Sequence, residues 1–380
     1  MRSPTEKPRI LIVVNVDWFF LSHRLPIALS ALENGFEVYV AAADTGMREK
    51  IESHGIQFVD APFLEKSHSF FSELYMIVKL GKLYQKIQPN LVHHVTIRPV
   101  LYGSIASRLY KVPAVVNALS GLGYLFINQG MKNRILRTVV SRLLKIGFSH
   151  PNQLLILQNN DDRKKFLDLG LVQPKKIRII KGSGVDPDQF QPKNKKHKND
   201  VQVAFIGRLL WDKGIGEFVD AATKLREMGV KATFHIYGSQ YKSNPMSVPD
   251  DVLEQWSSEN IVTIHGQKNR IEDHLEEIDI VCLPSYREGL PKTLLEAASA
   301  GIPIVTTDTP GCREVVEDGV NGFLVPPQNS VMLSERLKEL IENSELRSDF
   351  GKSGRKKVLN KFTLDKVVEE TMNIYYSLLS

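Results

Sequence analysis

Short apolar runs and helical stretches alternate along this chain. Residues 9–15 (RILIVVN) form a continuous apolar run rich in β-branched side chains, as a strand buried on both faces of a parallel sheet requires. A helical stretch follows at 22–34 and stops at Gly35, and 36–42 (FEVYVAA) reads as the next strand. Further strands are expected at 91–95, 114–117 and 154–157, with helices between them. Segment 186–192 (DPDQFQP) is turn-rich, and 193–200 (KNKKHKND) is polar and basic, the composition of a surface linker. The alternation restarts at 201–206 (VQVAFI). It continues through a helix at 216–228, strands at 232–237 and 278–283, a helix at 291–300 and a strand at 303–307. Helices at 331–343 and 346–362 follow, and a last one at 364–379 is expected to cross back to the first domain.

This pattern predicts an α/β protein of two Rossmann-like, doubly wound domains: 1–186, a linker at 187–200, 201–363, and a C-terminal helix at 364–380. A length of 380 residues agrees, being more than one core usually organises. Ligands of such sheets bind at the loops that follow the strands, so the site is expected in a cleft between the two domains.

Composition excludes several classes. Hydrophobic residues make up 42% and charged residues 24%, ordinary values for a folded soluble chain. No run approaches the ~20 apolar residues of a membrane span, and MRSPTEKPR leads into the first strand without a secretory segment. Cys282 and Cys312 are too few for a disulfide framework, which fits a reducing cytoplasm.

The net charge of +6 matters for where it falls. Between 132 and 145 stand Lys132, Arg134, Arg137, Arg142 and Lys145 with no acidic residue, interleaved at helical spacing with Ile135, Leu136, Val139, Val140, Leu143, Leu144 and Ile146. This is the pattern of a basic amphipathic helix on an anionic membrane surface, or of a surface helix with a solvated basic face. Nucleic acid is not the expected partner.

Two groups of residues carry candidate chemistry. Gly207 and Arg208 follow the strand that ends at Ile206, and Lys213-Gly214 precede a helix. Glycine lets the backbone approach a phosphate, a helix N-terminus offers unpaired N–H groups, arginine forks two phosphate oxygens, and lysine adds a point charge. The plain alternative is a strand–helix turn with solvated charges. The second group is Glu288-Gly289-Leu290-Pro291 and Glu296. Pro291 suits the first position of a helix. Its neighbours' N–H groups would face an anion, Glu288 would stay in the loop, and Glu296 would reach a ribose diol. Alternatively, Glu296 pairs with Lys292 four residues earlier. Together the two groups suit a nucleotide diphosphate-sugar whose leaving group is stabilised without a metal. Asp186-Pro187-Asp188 has the look of a metal-binding DxD, but two carboxylates in an interdomain turn do not make a metal site, and no catalytic metal or cofactor is expected.

The chain closely resembles the retaining glycosyltransferases of family 4, which have the GT-B fold. The matching segments are GRLLWDKG (207–214), LPSYREGLP (283–291), the EX7E pair Glu288 and Glu296, PGCREVVEDGVNGFLV (310–325) and GVDPDQFQP (184–192). HHVTIRP (93–99) and VNALSGLGYLF (116–126) resemble the subgroup that extends bacterial polyprenyl-diphosphate-linked sugars. The resemblance implies that Arg208 and Lys213 hold the donor diphosphate, that Glu288 contacts the donor sugar, and that Glu296 binds the ribose. It also implies a UDP-sugar donor, a lipid-linked saccharide acceptor and a peripheral position on the inner face of the membrane. Two features depart from the family. Ser120 stands where many members carry histidine, and the first strand–helix loop, NVDWFFLSHR (15–24), lacks the usual glycine pair. Asp17, His23 and Ser120 are therefore the acceptor-side candidates; His93 and His94 either line the site or pack. A nucleotide-sugar epimerase or a non-catalytic nucleotide-binding module would share the diphosphate cradle, but neither calls for the basic 132–145 stretch.

Overall fold

A computed structural model of the protein describes residues 7–62, 70–119, 131–193, 200–241, 244–268 and 270–380. The apolar run near the N-terminus is β1 (Arg9–Val16), whose residues Ile10 to Val14 are fully buried. It is the third strand of seven in the order β3 (Gln57–Asp60), β2 (Glu37–Ala43), β1, β4 (Leu91–Val95), β5 (Ala114–Leu119), β6 (Gln153–Leu157) and β7 (Ile177–Ile179), all paired in parallel. Alternation decides which core each side chain enters. Ile10, Ile12 and Val14 pack in one cluster, and Leu11 and Val13 in another on the opposite face. Helices α1 (Asp17–His23), α2 (Leu25–Glu33), α3 (Arg48–Glu52), α4 (Phe70–Ile87), α5 (Ile97–Leu109), α6 (Met131–Gly147) and α7 (Asn160–Asp168) supply the connections.

The stretch expected as one helix at 22–34 is two helices broken at Arg24, and the first begins at Asp17. Pro26 explains the break, because in a continuous helix its ring would collide with the carbonyl four residues back, and it has no N–H to donate. In the first turn of a new helix it costs nothing.

The second sheet runs β10 (Thr263–Gly266), β9 (Ala232–Tyr237), β8 (Val201–Ile206), β11 (Ile280–Leu283), β12 (Ile304–Thr307) and β13 (Gly322–Val325), again all parallel. Its helices are α8 (Ile215–Glu227), α9 (Asp250–Ser258), α10 (Lys292–Ser299), α11 (Pro310–Val315), α12 (Ser330–Glu342) and α13 (Ser344–Lys361).

The chain forms two compact units, Met1–Ser183 with Lys366–Ser380, and Gly184–Asp365. The last helix, α14 (Leu364–Leu379), places Val367, Met372, Ile374 and Tyr375 in the same core as Ile10 and Ile12. Residues 187–193, expected in the linker, pack with the second unit. Phe190 is buried in its core, its carbonyl accepts from Ser299 Oγ (2.9 Å), and Lys193 Nζ donates to the carbonyl of Glu272 (2.8 Å). Residues 194–199 of that expected linker lie outside the described residues.

Candidate active site

In the second unit the two predicted groups meet. After β8, Gly207 and the exposed Arg208 lead into a turn at Trp211–Lys213; Arg208 lies over the ring of Tyr241 at 5.8 Å. Gly214 then caps α8 in the left-handed conformation (φ 72°). That conformation favours glycine, and so does the contact, because a Cβ on Gly214 would lie 2.0 Å from the carbonyl oxygen of Pro284. The close approach brings the Lys213 turn against the loop that follows β11. Lys213 Nζ lies 2.5 Å from Glu288 Oε1, with side chains only 18% and 12% exposed. Three further bonds fasten the pair. Ser285 Oγ donates to Glu288 Oε1 (2.7 Å), the amide of Tyr286 donates to the carbonyl of Asp212 (2.9 Å), and the Tyr286 hydroxyl donates to Glu217 Oε1 on α8 (2.6 Å).

A third segment packs beneath this loop. Gly311, in the first turn of α11, leaves room for the backbone of Gly289, since a Cβ there would come within 2.4 Å of its carbonyl oxygen. The next residue, Cys312, is fully buried. Burial foremost, and then the nearby Glu288 carboxylate, push its thiol up to about 11, so it stays protonated and unreactive at neutral pH.

Gly289, Leu290 and Pro291 are buried at the entry to α10. Pro291 stands one position earlier than expected. It is the residue before the helix, with extended ψ (117°), and its carbonyl accepts from the amides of Leu294 (3.1 Å) and Leu295 (3.4 Å). Glu296 lies one turn into α10 with its side chain 13% exposed, and the i,i+4 partner is present: Lys292 Nζ is 3.4 Å from its Oε1. Burial raises the Glu296 pKa; Lys292 lowers it, and the neighbouring Glu272 raises it further. Asp186 and Asp188 form a local turn, the first accepting through Oδ1 from the amide of the second (2.9 Å).

The acceptor-side candidates fare differently. Asp17 is fully buried. Its carboxylate accepts from the amides of Trp18 (2.6 Å), Thr45 (2.6 Å) and Met47 (3.0 Å) and from Thr45 Oγ1 (2.5 Å). Burial alone would raise its pKa; these donors more than offset that and lower it. The carboxylate of Asp17, a candidate for acceptor contact, ties the loop after β2 to the start of α1. His23 is half-buried, stacked on Phe19 (4.3 Å between centroids), with Nδ1 2.6 Å from Ser22 Oγ. His93 and His94 pack inside the unit, against Tyr375 and against Tyr84 and Asn117. Ser120 lies outside the described residues. In α6, Val140 and Leu144 enter the core while Leu136, Val139 and Ile146 are exposed. The side chains of Lys132, Arg134 and Ile135 lie outside the described residues.

Residues 186–357 match the family described as glycosyl transferases group 1, and residues 9–159 match glycosyl transferase 4-like. The chain is a glycosyltransferase. Both groups of the site lie within the first of these matches, and the acceptor-side candidates within the second. The transferase is 28% identical over 363 residues to the N,N'-diacetylbacillosaminyl-diphospho-undecaprenol alpha-1,3-N-acetylgalactosaminyltransferase of Campylobacter jejuni, a match covering 90% of this chain and 93% of that protein. It is 24% identical to the UDP-Gal:alpha-D-GlcNAc-diphosphoundecaprenol alpha-1,3-galactosyltransferase of Escherichia coli, over 90% of each chain. In fold the transferase is GT-B. It superposes with a TM-score of 0.77 on a glycosyltransferase of Rickettsia africae (16% identity, 99% of each chain). With Anabaena HepE, solved with UDP and glucose, the TM-score is 0.75 (18% identity, 97% of this chain and 99% of that one).

The roles of Ser285, the Tyr286–Glu217 pair and Gly311 had no signal of their own in the sequence. All but Glu217 fall within quoted motifs, but only the fold shows that they buttress Glu288.

Proposed function

We propose that the transferase moves a hexose or N-acetylhexosamine from a UDP-sugar to a saccharide carried on a polyprenyl diphosphate, in bacterial surface glycan synthesis, with retention at the anomeric carbon. The observation that carries this reading is the Lys213–Glu288 pair, a cation and a carboxylate held together at the strand ends of the second unit. The two bacterial relatives, whose names specify diphosphoundecaprenol-linked sugars, support the acceptor class. Arg208, Lys213 and the first turn of α10 take the donor diphosphate; Gly207, Gly289, Leu290 and Pro291 let backbone approach it, and Glu296 binds the ribose. Glu288 faces the donor sugar, where positive charge develops at the anomeric carbon. The acceptor oxygen bonds to that carbon on the face from which UDP leaves, and the hydroxyl proton passes to the departing phosphate oxygen. Fixed cations at that oxygen act where charge builds up, which lowers the barrier rather than merely tightening binding.

The exposed stripe of α6 gives the same reading a place of work. Leu136, Val139 and Ile146 are exposed and spaced three and seven residues apart, with Arg142 and Lys145 exposed alongside. Among the described residues no helix is long and apolar enough to cross a membrane. An interfacial helix needs only such a stripe and neighbouring cations to rest on an anionic leaflet. Incubating the full chain with a panel of UDP-sugars and a polyprenyl-diphosphate saccharide, and weighing the products, tests the function. One donor should add the mass of one sugar residue to the lipid. Isomerisation of the donor without acceptor, or no transfer to any lipid diphosphate, would overturn it.

A further inference from the structure

Three local irregularities meet at one edge of the first sheet. β1 pairs with β2 residue for residue from Arg9 to Val13, and the next pair is Val16 with Ala43. Three steps along β1 thus match two along β2, so β1 carries a bulge at Val14–Asn15. The second irregularity lies just past β4. Thr96 has φ 75° and ψ 164°, a region that only glycine adopts without strain and that a β-branched residue adopts at a cost. Its hydroxyl donates to Asn15 Oδ1 (2.7 Å), which ties the strained residue to the bulge. The third is Trp18, in the first turn of α1. It is 39% exposed, and its indole N–H has no hydrogen-bond partner among the described residues.

The topology singles out this edge. From β1 the chain runs outward through β2 to β3, then returns to the other side of β1 as β4. The strand order therefore reverses between β1 and β4, and open α/β sheets bind ligands outside the C-terminal strand ends at such a reversal. Asn15 and Thr96 stand at those two ends, both partly exposed, and Trp18 follows Asn15 by three residues. Bulges and strained backbone gather at binding sites because the surrounding fold must hold them against their cost.

The chemistry of the edge selects the ligand. Asn15 Oδ1 is taken by Thr96, so the Nδ2 amide, without a partner among the described residues, is the end presented as a donor. Asp17 is saturated by its neighbours, and Arg98, at the start of α5, is held by Glu73 (2.9 Å). The edge thus offers a neutral amide and an indole rather than a cradle of cations. A phosphate calls for cations, as at Arg208 and Lys213. A sugar ring is neutral, with oxygens that accept hydrogen bonds and a face of polarised C–H groups that the negative face of an indole attracts.

We propose that Asn15 and Trp18, with Thr96 as a positioning residue, bind the terminal sugar ring of the acceptor. This rests on the acceptor class proposed above. Trp18 stacks on the C–H face of the ring, Asn15 Nδ2 donates to one of its oxygens, and Thr96 fixes which way the amide points.

The test follows the indole N–H signals of the three tryptophans in the full chain by NMR, that of Trp18 being assigned by its loss in Trp18→Phe. Methyl glycosides of hexoses and of N-acetylhexosamines are titrated in, and inorganic pyrophosphate separately. At least one glycoside should move the Trp18 signal saturably, and pyrophosphate should not. In turnover assays with a polyprenyl-diphosphate saccharide, Trp18→Ala and Asn15→Asp should each raise acceptor KM about tenfold with donor KM unmoved, the worth of one ring contact or net hydrogen bond. Asn15→Asp keeps the oxygen that Thr96 bonds and removes the N–H donor. Thr96→Val, which lacks the hydroxyl, should also raise acceptor KM, whereas Thr96→Ser should stay near the native value. Trp18→Ala should melt close to the native chain, because the side chain is exposed. A lower melting point in Trp18→Ala at native acceptor KM would make the indole a packing group and overturn the proposal. A Trp18 signal that no glycoside moves, or that pyrophosphate alone moves, would also overturn it. Native acceptor KM in Thr96→Val would overturn the positioning role. Glycoside binding that depends on Trp18 and Asn15, without sugar transfer to any lipid diphosphate, would retain the site and reject the acceptor class. Transfer at native acceptor KM by Trp18→Ala and Asn15→Asp would do the reverse.

Discussion

Replacing Gly214 by alanine tests whether the Lys213 turn and the Glu288 loop must touch. Two effects are introduced at once. A side chain at φ 72° costs about 1–2 kcal/mol, because its Cβ crowds the local backbone. The Cβ would also lie 2.0 Å from the carbonyl oxygen of Pro284 and 2.6 Å from its carbon. Ordinary contact begins more than an ångström further out, so the two backbones must part by about that much. Lys213 precedes Gly214, and Glu288 lies four residues beyond Pro284, so the displacement falls on the 2.5 Å pair. A misplacement of about 1 Å at a reacting centre typically costs ~10²-fold in rate. Gly229 separates the effects, because it has the same conformation (φ 71°) with nothing within 4 Å of the position a Cβ would take. Gly229→Ala should therefore lose about 1–2 kcal/mol, a few degrees of melting temperature, at native turnover. Gly214→Ala should lose at least as much stability and ~10²-fold in kcat. Steady-state kinetics and thermal unfolding on both variants decide it. Native turnover in Gly214→Ala, or equal losses of turnover in both, would refute the coupling of these two segments.

Other outcomes follow from the same geometry. Glu288→Gln should lower kcat more than it changes donor KM, whereas Glu296→Gln should mainly raise donor KM; the reverse split in steady-state kinetics would exchange their roles. Chelation with EDTA should leave transfer intact, since Arg208 and Lys213 already offset the diphosphate charge; loss of activity restored by magnesium or manganese would show otherwise. His94 is held near 4 by burial, below its ordinary 6.5. Its neutral form therefore adds stability above pH 6.5 that is lost as pH falls toward 4, on the order of 3 kcal/mol, and His94→Gln should flatten that part of a denaturation-versus-pH series. Binding to anionic vesicles should exceed binding to neutral ones and fall with salt and in an Arg142→Gln/Lys145→Gln variant; equal co-sedimentation with both lipids would leave α6 as a solvated helix.

What could be read ahead of the structure was what local pattern controls. β1 announces itself because a strand buried on both faces admits only apolar residues, and Ile10 to Val14 are all fully buried. β10 does not, because none of its four residues is fully buried and its pattern is that of a loop. β7, three residues long with an exposed Arg178, is hidden for the same reason. Pro26 was a visible break in the helix expected at 22–34, and its steric consequence sets the boundary at Arg24. The site divides along the same line. The EX7E spacing and the glycines beside Lys213 are local, so they were legible. That Lys213 meets Glu288 across 75 residues of sequence depends on β8 and β11 pairing side by side. The surroundings of Asp17 were hidden for the same reason: its partners Thr45 and Met47 follow a different strand, and no local pattern shows that a carboxylate will be saturated by them.

The Lys213–Glu288 pair also bears on how the donor unit behaves before it meets substrate. Two opposite charges, each mostly withdrawn from water, are stable only while each has the other, since removing one partner leaves an uncompensated charge. In the proposed mechanism a donor diphosphate competes with Glu288 for Lys213. Part of the binding energy of the diphosphate is then spent loosening an existing ion pair, while Ser285 still holds the carboxylate in place. The released carboxylate faces the donor sugar just as positive charge develops there, so the interaction grows toward the transition state rather than in the ground state. Glu288→Gln removes the competitor together with the carboxylate. Its donor KM should therefore hold steady or fall while kcat drops, which separates this arrangement from one in which Glu288 only grips the donor. A grip alone would raise KM when removed.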